Sequence, residues 1–314
     1  MKRFFLTCYK WMKMIMGRDV LHVEQNIGTQ FVAGELRGYF NNMVDKVYKC
    51  ENLDETGIPY NVTDKGEKCQ LLVSVLQYGL GNYDLYLSTG SEKYLISFKK
   101  CVEWVEKQQD INGGFNVYSG IANIEPEYSA MTQGEAASLL LRAYKQTGEG
   151  QHLKNAKRAI DFMLKDVKNG GTTVYEDKRF YFEELFDNGQ SAILNGWIFA
   201  LFGLYDYSIV SEEAGYEKKF HEAVNCLAES LKRYDRGYWS NYNQEKTICS
   251  PFYHKLHISQ LEALTQISRR PEFEAYKVKW ERQYNNKFWY AVAFIRKAVQ
   301  KLSHYNDAKV VIIK

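Results

Sequence analysis

The chain has 314 residues, 45% apolar and 25% charged, with a net charge of +3. This composition supports a packed core and excludes wholesale disorder, and so small a charge carries no footprint of a dedicated nucleic-acid binder. Only 4 prolines leave room for long helices, while 24 tyrosines and 6 tryptophans supply flat rings with polar tips, suited to core packing or to sugar faces.

In chain order, residues 1–16 (MKRFFLTCYKWMKMIM) are basic and apolar, but Lys10 and Lys13 interrupt them before a membrane span of roughly 20 apolar residues could form. An amphipathic helix, packed on the domain or lying on an anionic membrane surface, is the reading they allow. GELRGYFNNMVDKVYK reads as partly helical, and residues 1–57 as an N-terminal helical extension ahead of a main domain at 58–314. The 6 cysteines show neither CxxC spacing nor a Cys/His cluster. They are expected to be free thiols of a reducing compartment, which makes the expected location cytoplasmic, with membrane contact through residues 1–16 as the alternative to their packing on the domain. No metal and no cofactor is expected.

An internal repeat organises the rest. Each unit opens with a small, apolar helix, turns at Gly or Ser, and continues as a more charged helix; in the first three units a Gly/Tyr-rich loop follows. Comparable helix starts fall at Gln77, Gln133, Asn195 and His257. Ala136, Leu139, Leu140, Ala143 and Tyr144 form a helical stripe, and Thr147-Gly148 is the expected end of that helix. A closed ring of pairs buries the first helices, so the sequence predicts an all-α (α/α) barrel with short β-hairpin loops on one rim. An open solenoid is the alternative, but its pairs repeat every ~34 residues and these units are far longer.

Three stretches have the residue types for chemistry. In RFYFEELFDNGQ, Glu183 and Glu184 follow Tyr181 and Phe182, and a carboxylate desolvated by rings has a raised pKa suited to proton transfer. The alternative is an exposed acidic turn. In DRGYWSNYN, Arg236, Tyr238, Trp239 and Tyr242 form an aromatic hairpin that either stacks on sugars or caps the barrel. In SPFYHKLHISQ, Tyr253, His254, Lys255 and His257 occupy the first turns of a helix. Two histidines alone are weak grounds for a metal, and packed, hydrogen-bonding histidines are commoner. No nucleophile elbow, phosphate loop or dinucleotide fingerprint occurs.

These motifs, with QYGL at 77–80, EYSAMTQGEAASLLLRAY at 127–144 and LNGWIFALFGLYD at 194–206, resemble the C-terminal region of the D-glucuronyl C5-epimerase family, over roughly residues 77–280. The resemblance implies an (α/α) barrel that inverts carbon 5 of D-glucuronyl residues, giving L-iduronyl residues, in an acidic polysaccharide of heparosan or heparan type. It implies a compact bacterial relative, because a preceding β-rich domain has no counterpart. The family's catalytic glutamate and tyrosines fall on Glu184, Leu185, Tyr242 and Tyr253, so one family tyrosine is a leucine here. Glu245 stands where some members carry an arginine. Tyr181, Glu183, Arg236, Tyr238, Trp239, His254, Lys255 and His257 are the candidate substrate contacts, with Arg236, His254, Lys255 and His257 as candidates for the sugar carboxylate. The expected partner is an acidic polysaccharide or oligosaccharide, and a homodimer is compatible with the chain. The alternatives are a uronate lyase, which shares the carbanion step and then expels the 4-oxygen, and a glycan-binding relative without turnover.

Overall fold

The computed structural model describes residue 9 and residues 22–63, 65–121, 124–177, 179–184 and 191–303. Leu185 and nearly all of the basic N-terminal segment lie outside these. A short helix α1 (Val44–Tyr48) precedes four successive pairs: α2 (Leu72–Thr89) with α3 (Glu92–Glu106), α4 (Ala130–Thr147) with α5 (Gly150–Leu164), α6 (Leu194–Val210) with α7 (Ala214–Tyr234), and α8 (Pro251–Ile267) with α9 (Pro271–Asn285). Connections of two or three residues fold each pair back on itself. A further helix, α10 (Lys287–Ser303), follows the fourth pair and was not anticipated from the repeat.

The first helix of each pair differs from the second in the way an inner and an outer layer should. On α4, residues 132–143 are buried in an unbroken run, and on α6 residues 194–207 are. Their partners bury a single stripe, such as Ala156, Ile160 and Met163 on α5, and turn charged residues outward. Inner helices pack side by side, α2 on α4, α4 on α6 and α6 on α8. At the tightest crossing, a Cβ on Gly134 would lie 2.6 Å from Ala200 Cα, and one on Gly203 would lie 2.4 Å from Gly134 Cα, so only glycine permits α4 and α6 to approach this closely.

The segment expected to be partly helical, 34–49, is helical only at Val44–Tyr48. Irregular backbone around Tyr39–Asn41 serves the inner helices instead. Tyr39 N donates to Asp84 of α2 at 3.0 Å, Asn41 Nδ2 donates to Ser259 of α8 at 2.8 Å, and Tyr39, Phe40 and Met43 are fully buried. The stretch thus bonds to both the first and the last inner helix. Arg142 completes the junction: it pairs with Asp206 at 2.6 Å and donates to the carbonyls of Arg37 (3.0 Å) and Gly38 (2.8 Å), with both partners of the ion pair buried. Asp206→Ala strands that guanidinium without its counter-ion and is expected to cost about 3–5 kcal/mol in denaturant unfolding. A loss below ~1 kcal/mol would show that the carbonyls alone hold it.

Two antiparallel hairpins punctuate the helices, β1 (Asn61–Val62) with β2 (Lys68–Cys69) and β3 (Thr173–Glu176) with β4 (Arg179–Phe182). A third turn-back, after α7, is held by the bridges Asp235–Ser240 and Asn241–Ile248. The described cysteines are free, with Cys69, Cys101 and Cys249 buried. Among the described residues, no helix is long and apolar enough to cross a membrane.

Candidate active site

Strand β4 delivers Glu183 and Glu184 to the mouth of the inner helices. Glu183 N donates to Thr172 O at 2.8 Å, and Glu183 O accepts from Ala130 N, the first residue of α4, at 2.9 Å. The Glu183 carboxylate points back into the protein and accepts from Ser191 Oγ (3.0 Å) and Ala192 N (3.1 Å). It therefore anchors the loop before α6. Glu184 lies against the opening turn of α6. Asn195 Nδ2 is 3.5 Å from its Oε2, and a Cβ on Gly196 would come within 2.2 Å of the same oxygen. Burial, then the neighbouring Glu183 and Glu135 carboxylates, push the Glu184 carboxyl up to about 8. A carboxyl with that value is poised to exchange protons near neutrality.

Tyr242 reaches the same turn from the loop after α7. Its carbonyl accepts from Leu194 N, the first residue of α6, at 3.0 Å, and its N–H donates to Thr247 O at 2.6 Å. Burial, then the charge of Glu184, then Tyr253 raise its phenol well above the ordinary tyrosine value. Tyr253 stands in the first turn of α8, which starts at Pro251 and is capped by Ser250 Oγ accepting from Tyr253 N. The rings of Tyr242 and Tyr253 meet edge to face, with centroids 4.9 Å apart. Three residues from three different repeats thus come to one place, and both tyrosines remain partly exposed.

Beneath them lies a carboxyl that the sequence reading passed over. Glu135 is fully buried on α4; its Oε1 accepts from Gln77 Nε2 at 2.9 Å, its Oε2 has no partner, and burial raises it to about 8. The available signal was an acidic residue in a stretch, TQGEAASLLL, that is otherwise small, apolar or neutral. Asn195 Oδ1, Gln260 Oε1 and His257 Nε2 are likewise buried without partners. Inner helices seldom leave so many polar atoms unsatisfied unless water or a ligand completes them.

Several expected sugar contacts belong to the framework. Trp239 is wholly buried, stacks on His254 with centroids 3.8 Å apart and donates Nε1 to Cys249 O, so it closes the hairpin instead of facing a sugar. His254 has both ring nitrogens engaged, one with Ser240 Oγ at 2.7 Å and the other with Trp280 O at 3.1 Å, and burial lowers its pKa to about 3. His257 is buried against Ser240 and Cys249, and its pKa is likewise driven down by burial and by His254. Burial thus favours the neutral form of both imidazoles. Lys255 is ion-paired with Glu24. Arg236 donates to Asn241 Oδ1 and to the Lys246 carbonyl and lines a cavity with Lys232 and Arg233. Tyr238 packs against Trp289 and accepts from Arg296, and Tyr181 is buried against Trp197. Among the described residues, no group of three or more His, Cys, Asp or Glu side chains is arranged to hold a metal ion.

Residues 107–282 match the family described as D-glucuronyl C5-epimerase C-terminus, more than half of the chain. The chain belongs to this family. The D-glucuronyl C5-epimerase of Caenorhabditis elegans is 26% identical over 204 residues, which cover 57% of this chain and 33% of that protein. The chain thus spans about a third of that relative's length. Among solved structures, a D-mannose isomerase superposes with a TM-score of 0.54 at 12% identity, covering 81% of this chain and 67% of its own. The cellobiose 2-epimerase of Spirochaeta thermophila gives 0.52 at 10% identity, covering 75% and 64%. These two likenesses establish the helical-pair fold alone. Glu184, Tyr242 and Tyr253 all fall within the family-matched residues, whereas α10 lies beyond them.

Proposed function

We propose that the chain is a carbohydrate epimerase that inverts carbon 5 of D-glucuronyl residues in an acidic polysaccharide, giving L-iduronyl residues. The observation that carries this reading is the convergence of a carboxyl raised to about 8, Glu184, on two phenols in ring contact, Tyr242 and Tyr253. The carbon-5 proton lies α to the sugar carboxylate. Glu184, ionised, takes that proton, and the electron pair of the C–H bond moves into the carboxylate as an enediolate. A phenol on the opposite ring face returns a proton to carbon 5, the C–H bond reforms inverted, solvent reprotonates the phenolate, and Glu184 gives up its proton to solvent. A phenol held above its ordinary pKa stays protonated at neutral pH, as a donor requires. No cofactor enters the balance.

Leu185 occupies the position of a family tyrosine, so in this mechanism the donor's part falls to Tyr242 or Tyr253. Incubating a heparosan-type polymer with the protein in deuterated solvent tests the reading. Deuterium at carbon 5 with unchanged chain length is the expected result, whereas unsaturated chain ends would identify a lyase. Leu185 itself favours a second reading, a glycan binder without turnover. In that case the natural chain binds polymer without exchange, and Leu185→Tyr creates exchange.

A further inference from the structure

Epimerisation places a second charge on the sugar carboxylate, which cationic or hydrogen-bonding groups must stabilise. Of the candidates read from the sequence, burial lowers the pKa of His254 and His257, Lys255 is paired with Glu24, and Arg236 is bonded to Asn241 and the Lys246 carbonyl. A buried cation stands on α10. Ala293 and Lys297, one turn apart, form the buried face of this helix, and Ala293 packs into the cluster of Trp239, Ile248 and Cys249 that supports the Tyr242 hairpin. Lys297 is 6% exposed, and its Nζ lies 5.8 Å from the centroid of the Tyr242 ring. Among the described residues its hydrogen bond is to Gln300 Oε1 at 3.2 Å, and no described carboxylate is ion-paired with it. Burial, with a smaller opposing influence from Cys249, pushes its ammonium down to about 8.

A buried ammonium without an anion destabilises the fold that holds it, and replacement by an apolar side chain would relieve that cost. Such a group is retained where an anion arrives to complete it. We infer that Lys297 is the carboxylate-binding cation of this site, its ammonium seated over Tyr242 to take the carboxylate of a uronyl residue. This rests on the epimerase reading for the identity of the sugar, but not for the charge of the ligand. At carbon 5 the same contact holds the enediolate as the proton leaves. The ring of Tyr242, lying beneath the ammonium, helps to fix its position.

The test compares two probes, a glucuronyl oligosaccharide and its carboxyl-reduced glucosyl counterpart, with binding read by calorimetry and exchange read by deuterium uptake. The natural protein is expected to prefer the acidic probe by about 10-fold or more, the scale of one hydrogen bond to a charged group. Lys297→Met is expected to erase that preference, leave binding of the neutral probe intact, and slow exchange by roughly 10²-fold. Lys297→Arg keeps a preference for the acidic probe. Thermal unfolding of Lys297→Met should be no lower than that of the natural chain, which separates loss of charge from loss of fold. A Lys297→Met protein that still prefers the acidic probe overturns the inference, whether or not exchange occurs. A preference that depends on Lys297 in a protein showing no exchange upholds the inference and defeats the epimerase reading.

Discussion

Glu184→Gln is expected to lower carbon-5 exchange by about 10²–10⁴-fold while glycan binding persists, because the amide keeps the shape of the carboxyl but cannot accept the proton. The same carboxyl sets the pH dependence. As the base, it must be ionised, and with its value near 8 the exchange rate of the natural chain should climb through neutrality and level off above that value. Glu135 is raised to a similar value and lies within charge reach of Glu184, so the observed inflection belongs to the pair. Stability runs the other way. The folded value is raised above the ordinary 4.5, so between 4.5 and about 8 the folded state holds a proton that the unfolded chain releases. Folding stability therefore falls as pH rises through that window, by up to ~1.4 kcal/mol per pH unit for this group. Glu184→Gln should flatten that slope as it abolishes exchange. A variant that keeps full exchange would remove Glu184 from the mechanism.

Tyr242→Phe and Tyr253→Phe are expected to separate the donor from its neighbour. Each substitution deletes one hydroxyl, and with it the hydrogen bond between the two phenols, but leaves the ring contact of 4.9 Å in place, so unfolding midpoints should move little. Loss of the donor costs about 10²–10⁴-fold in exchange, and loss of its neighbour much less. The double variant should fall no further than the worse single one by more than a small factor, because groups acting as a unit are not additive. Two small, equal, multiplying losses would mean that neither phenol moves the proton.

The helix pairs were legible because their physics is local. LNGWIFALFGLYDYS is apolar all round and so must be buried on every side, whereas QHLKNAKRAIDFMLK carries one stripe and so must face solvent. The segment around Tyr39–Asn41 has no period to read, since its place is set by Asp84, Arg142 and Ser259 far along the chain. Residue types suggested chemistry at Glu184, Tyr242 and Tyr253, but their grouping came from family resemblance; spacing alone cannot show that three repeats converge. The partners of the histidines could not be read from spacing: Ser240, Trp280 and Trp239, from two other parts of the chain, bury His254. Lys297 reads as one of many surface lysines until α10 is docked on the hairpin.

Inversion between two groups on opposite ring faces leaves a distinctive isotopic record. A glucuronyl polymer is incubated briefly in deuterated solvent, and the inverted residues and the unreacted residues are then analysed separately for deuterium at carbon 5. The expected pattern is deuterium in essentially every inverted residue and almost none in the unreacted glucuronyl residues, because Glu184 removes the original proton and a phenol supplies a solvent-derived one. Inverted residues that retain the original hydrogen, or deuterium appearing equally in both populations, would contradict a glutamate and a tyrosine acting from opposite faces.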